Sequence, residues 1–219
     1  MPIKSDREYR NIGTFEVRED QTSEEYLVRG YASTFEPYLM FEDEGIQYFE
    51  RIAPTAFDDA DMSDVVFLRD HTGRVLARTK NGSLKLSTDA HGLFTDVNLG
   101  LTDAAHEMFE DIKTQNYSQM SFSFVVARGG EHFEDNGSVV TRVIDRIFKV
   151  YDTSAVAFPA NPATNIGVAY RDLFNGVIES RKAERLKAIK ERALLKIKLN
   201  RRRSKWKSKK CRWKTSNSA

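Results

Sequence analysis

The chain has 219 residues, 40% hydrophobic and 30% charged, with a net charge of +2. That composition is enough for one folded domain with an appendage and excludes a chain disordered throughout. No stretch approaches the roughly 20 apolar residues of a membrane-spanning helix, MPIKSDREYRNIG lacks the apolar core of a secretory signal, and a single cysteine, Cys211, cannot form an internal disulfide, which points to a reducing cytoplasm.

Residues 1–165 read as mostly strand. EYLVRGYASTF (25–35) is rich in β-branched and aromatic residues, IQYFERI (46–52) alternates, and VVFLRD (65–70) is a short apolar run ending at His71. SLKLSTDAHGLFTDVNLG (83–100) holds two alternating runs around Asp89-Ala90-His91-Gly92, the pattern of a hairpin. Residues 102–116 are expected to be helical, with Thr102 as cap and Ala105, Met108, Phe109 and Ile112 on one face. QMSFSFVVAR (119–128) reads as a strand, GGEHFEDNGS (129–138) as a polar loop, and VVTRVIDRIFKVYDTSAVAF (139–158) as one long or two short strands ended by Pro159 and Pro162. No fixed-period repeat is present. Many strands with one or two helices predict a mainly β (α+β) fold, a closed or nearly closed barrel with helices outside.

From about 170 the pattern turns helical, with Leu186, Ile189, Ala193 and Ile197 on one face. Beyond Leu199 the apolar period stops, so order is expected only on binding. Residues 180–219 hold 17 Lys and Arg against two acids, a net of +15, while residues 1–179 hold 17 against 30, a net of −13. The expected organisation is a domain over 1–170 and a basic tail over 171–219, and such asymmetry implies a charged partner for the tail.

Serine-nucleophile chemistry needs an imidazole to carry the hydroxyl proton and a third group to orient that imidazole. Among four histidines, His71 ends a strand, where scaffolds present reactive groups. His91 falls in a turn, His132 in a polar loop and His106 on a helix surface. No two histidines have helical ligand spacing and the lone Cys is in the tail, so a zinc site is not expected. In Met120-Ser121-Phe122-Ser123-Phe124, alternation puts both serines on one strand face and both phenylalanines on the other. No GxSxG elbow occurs, which disfavours an α/β-hydrolase. The orienting acid is open between Asp145 and Asp152.

An ordered set of segments resembles the prohead serine proteases of tailed phages, relatives of the herpesvirus assemblins. They are GYASTF (30–35), ERIAPTAF (50–57), FLRDHTGRVLART (67–79), LKLSTDAHGLFTDVNL (84–99), MSFSF (120–124) and DTSAVAFPANPAT (152–164), spread over about 25 to 170. The resemblance implies a small β-barrel of herpesvirus-protease type wrapped by helices. It also implies His71 as general base, Ser121 as nucleophile and Asp152, the acid before the S-x-V-x-x-PA segment, as the orienting group. The herpesvirus enzymes use a second histidine there, but no histidine follows position 132 in this chain. Thr55 stands where phage relatives commonly have glycine, and the basic tail matches nothing in the family.

By the same resemblance the protein is a serine endopeptidase. It would act inside the assembling procapsid in the bacterial cytoplasm, on the major capsid protein or a scaffold protein and on itself, self-associating there, with no cofactor and no membrane partner. Two other classes compete. An inert internal scaffold would use Ser121 and His71 only structurally. A nucleic-acid module would rest on the tail, with Trp206 and Trp213 stacking on bases, but the acidic body opposes nucleic acid as the main partner.

Overall fold

The computed structural model describes residues 7–17, 26–157 and 165–216. In chain order it has β1 (Glu8–Val17), β2 (Leu27–Thr34), β3 (Tyr38–Asp43), β4 (Ile46–Ile52), β5 (Val66–Arg69), β6 (Thr72–Arg78), β7 (Leu84–Thr88), β8 (Gly92–Asn98), α1 (Asp103–Lys113), β9 (Gln119–Val126), β10 (Glu131–Asp135), β11 (Val139–Ile144), β12 (Ile147–Val156) and α2 (Asn165–Ser216). The chain divides into two compact units, residues 1–171 and 172–219.

The first unit is strand-rich α+β. Its main sheet has eight strands in the order β6-β5-β12-β9-β1-β2-β8-β7, and a second sheet has the order β10-β11-β4-β3. The expected barrel does not close: β6 and β7 remain the two edges of the large sheet. They are consecutive in sequence, yet the 3-10 turn Thr79–Asn81, ended by Gly82 at φ 76°, leads the chain from one edge to the other. Gly13 lets β1 lie at the centre, because a Cβ there would meet the Tyr31 carbonyl oxygen at 1.9 Å.

The anticipated helix and hairpin form as expected. Thr102 Oγ1 accepts from the Ala105 N–H, and Ala105, Met108, Phe109 and Ile112 are the buried residues of α1. Strands β7 and β8 pair from Leu84↔Val97 to Thr88↔Leu93, and Asp89 accepts from the His91 and Gly92 amides in the turn. Residues 139–156 form two strands that belong to different sheets. Strand β10 corrects the polar loop: GGEHFEDNGS contains an edge strand paired with β11. Its mostly exposed faces carry no apolar alternation from which to read it. Pro159 and Pro162 lie outside the described residues.

A buried ion network ties the two sheets together. Glu50 on β4 has no exposed surface, and it accepts from Arg10 of β1 and, at 2.6 Å, from Arg142 of β11. Arg142 also reaches both oxygens of Glu8, and the Tyr38 hydroxyl donates to Glu50. Burial alone would raise the Glu50 pKa, but the two guanidiniums outweigh it and hold the carboxyl below its ordinary value. Glu50→Gln removes the fully buried carboxylate that two guanidiniums share and leaves them only the more exposed Glu8 and Glu131, so it is expected to cost about 3 kcal/mol in a urea melt. Because the folded pKa is depressed, this stabilisation is complete above the ordinary carboxylate range and is lost as pH falls through the lowered value. A Glu50→Gln variant as stable as wild type at neutral pH would show that the network is not a fastener.

The second unit is helix, and α2 continues to Ser216 rather than losing its order past Leu199. Lys and Arg are good helix formers and no Gly or Pro follows Gly176, so propensity continues after the apolar period ends. Leu186, Ile189, Leu194, Leu195, Ile197 and Leu199 are exposed on it. Among the described residues, no helix is long and apolar enough to cross a membrane.

Candidate active site

Of the residues singled out in the sequence, His71, Ser121 and Asp152 converge where the β5–β6 turn meets β12 and β9. Strands β5 and β6 join through a two-residue turn, Asp70-His71, closed by the pair Arg69↔Thr72. Both turn residues have positive φ, 47° and 58°, as a type I′ hairpin requires. Asp and His tolerate that region better than most side chains. Arg78 clamps the base of the same hairpin with a two-pronged contact to Asp64 at 2.6 and 2.7 Å. The imidazole is thus held at the tip of a short, braced hairpin.

Opposite it, Ser121 faces Ser154 and Ser123 faces Asp152 across the β9–β12 ladder. Directly opposed residues share a sheet face, so Ser121, Ser123, Asp152 and Ser154 form one polar patch. Phe122 and Phe124 stack on the other face, fully buried, with ring centroids 4.7 Å apart. A register shift between Val150 and Asp152 decides this arrangement. Simple alternation would put Asp152 on the same face as Val150, which opposes Phe124. The extra residue, Tyr151, turns the carboxylate over to the serine side.

His71 Nε2 lies 2.6 Å from Ser121 Oγ and Nδ1 lies 2.6 Å from Asp152 Oδ1. Asp152 also accepts from Ser154 Oγ at 2.8 Å, from Ser123 Oγ at 2.5 Å and from Arg7. Burial would raise the Asp152 pKa, yet the hydrogen bonds from His71, Ser123 and Ser154 bring it below the ordinary carboxylate value. An ionised Asp152 can only accept, so Nδ1 carries the imidazole proton and Nε2 is free to take the proton of Ser121. This is the connectivity that activates a serine hydroxyl toward a carbonyl. Asp145 is elsewhere: it pairs with His132 Nδ1 at 2.6 Å on the exposed β10 side. His106 is half-exposed and tilts on Tyr26, and His91 sits in its turn beside Tyr31.

The serines do not face an open groove. Ser121 and Ser123 have no exposed surface, and His71 is 16% exposed. A carbonyl therefore reaches Ser121 Oγ only when neighbouring side chains shift. Beside the hairpin tip lies a cleft of about 380 Å³ lined by Arg69, Asp70, Thr72, Arg74, Met108 and Tyr117. The 126–130 turn is at the far end of β9, about 16 Å from Ser121 at the usual strand rise, too far to supply oxyanion donors to it. Its Ala127 and Gly130 amides already donate to Arg146 and Ala127 carbonyls.

Sequence reasoning missed Arg7 and Tyr9. Tyr9 opposes Ser123 on β1 and sets its ring edge-on to His71, with centroids 4.7 Å apart. The alternation in EYRNIGTFEV was the available signal, weakened by Arg10 and Asn11 within it.

The family model described as caudovirus prohead serine protease matches residues 13–176, which include His71, Ser121 and Asp152. No curated protein and no solved structure matches the chain.

Proposed function

Because the chain belongs to the caudovirus prohead serine proteases, we propose that it is a serine endopeptidase that trims scaffold or capsid-protein extensions during prohead maturation and also cuts itself. The observation that carries the reading is the hydrogen-bonded line Ser121–His71–Asp152. Ser121 Oγ attacks the scissile carbonyl while its proton passes to His71 Nε2. The imidazolium is stabilised by Asp152 Oδ1 through Nδ1–H. Collapse of the tetrahedral intermediate breaks the C–N bond, and His71 gives its proton to the leaving amine. A water, deprotonated by His71, then attacks the acyl-enzyme, which releases the carboxylate product and returns the proton to Ser121.

The test is mass spectrometry of the full chain expressed alone and with the phage's major capsid and scaffold proteins. Discrete new termini that require the intact chain are expected. Intact capsid, scaffold and protease chains throughout would contradict the proposal.

The place of action follows from charge in this reading. The +15 over residues 180–219 attracts an acidic scaffold partner in the host cytoplasm and brings the enzyme into the forming shell. A chain truncated after Asn175 is expected to stay folded and cleave a peptide substrate, yet to enter procapsids poorly. Added salt should weaken entry of the full chain, because exposed charge is screened within about 8 Å at physiological ionic strength. Normal packaging of the truncated chain would place docking elsewhere.

A further inference from the structure

We propose that Arg7 is a positioning residue of this site: its guanidinium locks Asp152 and Ser123 behind His71 and sets how strongly the buried carboxylate holds a protonated imidazole. The inference rests on the serine-peptidase reading above.

Arg7 stands at the entrance of β1, its side chain 24% exposed. Its Nε and Nη2 donate to Ser123 Oγ at 2.9 and 2.7 Å, and Nη2 also donates to Asp152 Oδ2. The guanidinium is held between two rings, 4.6 Å from the Tyr151 centroid and 5.5 Å from that of Tyr9. Tyr9 in turn packs edge-on against His71. The bulge residue that turns Asp152 toward His71 is therefore also one wall of the Arg7 slot. Oδ1 serves His71 and Ser154, while Oδ2 serves Arg7 and Ser123. The planar guanidinium holds Ser123 Oγ through two donors and Asp152 Oδ2 through one, so it pins hydroxyl and carboxylate oxygen together.

The cation also offsets part of the field that Asp152 exerts on the imidazole. The groups around His71 are Asp152 on β12, Ser121 on β9, Tyr9 on β1 and its turn neighbour Asp70, which accepts from Tyr117. Arg69 on β5 lies over the Tyr117 ring. Within this set Arg7 is the cation that contacts Asp152 directly. Removing it leaves the carboxylate to favour the protonated imidazole more strongly, so the base-competent form should require a higher pH.

The experiment measures the rate at which a fluorophosphonate acylates Ser121 in the full chain across pH, for wild type, Arg7→Ala and Arg7→Lys, with thermal melts alongside. Arg7→Ala is expected to react about tenfold more slowly or worse, with its acid limb moved to higher pH, and added guanidinium should restore both. Arg7→Lys should keep the wild-type pH midpoint but recover only part of the rate. Equal rates and profiles for wild type and Arg7→Ala would overturn this inference alone. Slower reaction without guanidinium rescue, together with a lowered melting temperature, would also overturn it, by making Arg7 a fold residue. No adduct on Ser121 in the wild-type chain would overturn the peptidase reading and this inference with it.

Discussion

Ser121→Ala is expected to end proteolysis while leaving the fold intact. The loss should be on the order of 10⁶ in turnover, the scale seen when a serine nucleophile is deleted from a preassembled triad. The hydroxyl is buried and bonded to His71 Nε2 at 2.6 Å, so its removal forfeits one hydrogen bond, a cost of about 1 kcal/mol. The packing that holds β9 in place is on the opposite face, where Phe122 and Phe124 remain stacked. Circular dichroism and a thermal melt should therefore stay near wild type while self-cleavage fragments vanish. A folded Ser121→Ala chain that still cut itself would shift attention to Ser123, which shares the face and touches Asp152.

The second large effect is expected at Asp152. An asparagine there presents an amide to a nest of four donors, so His71 Nδ1 loses its acceptor or meets a competing N–H. The imidazole is then free to settle in the tautomer that cannot accept from Ser121, a change that costs about 10⁴ in turnover in a triad of this kind. Some residual activity is expected, because nucleophile and base stay in place. The fold should also weaken, since Arg7, Ser123 and Ser154 all point at the same carboxylate. Asp145→Asn should change little by comparison: its carboxylate is 41% exposed and serves His132, far from the hairpin tip. Turnover rates of the two folded variants check this, and the reverse ranking would reassign the acid.

The placement of His71 and of the Ser121 face was legible in local pattern, although pattern alone did not separate Ser121 from Ser123 and the roles came from the family resemblance. A short apolar strand ending in Asp-His-Thr-Gly gives a hairpin tip, and Ser-Phe-Ser-Phe gives one polar and one apolar face. The choice between Asp145 and Asp152 was not settled by pattern, because the face of Asp152 depends on the bulge at Tyr151, and a bulge has no alternation signature of its own. Arg7 and Tyr9 stayed hidden for a related reason. Their segment is polar in composition, and it becomes part of the site only by pairing with β9 more than a hundred residues later. Strand β10 was misread because an edge strand with exposed faces needs no apolar residues. Sheet closure was likewise beyond reach: strand patterns give the number of strands, whereas closure depends on whether β6 pairs with β7, which it does not. The helix past Leu199 shows the opposite limit, since loss of an apolar face does not remove helix propensity.

The central claim is that Ser121 is an activated nucleophile, and a covalent label tests it most directly. The full chain would be treated with a fluorophosphonate, digested with trypsin and analysed by fragmentation mass spectrometry of the peptide covering residues 114–128, which contains Ser118, Ser121 and Ser123. A single adduct on Ser121 that disappears in His71→Ala is the predicted result. An unmodified peptide, or label on Ser118 or Ser123 instead, would contradict the account.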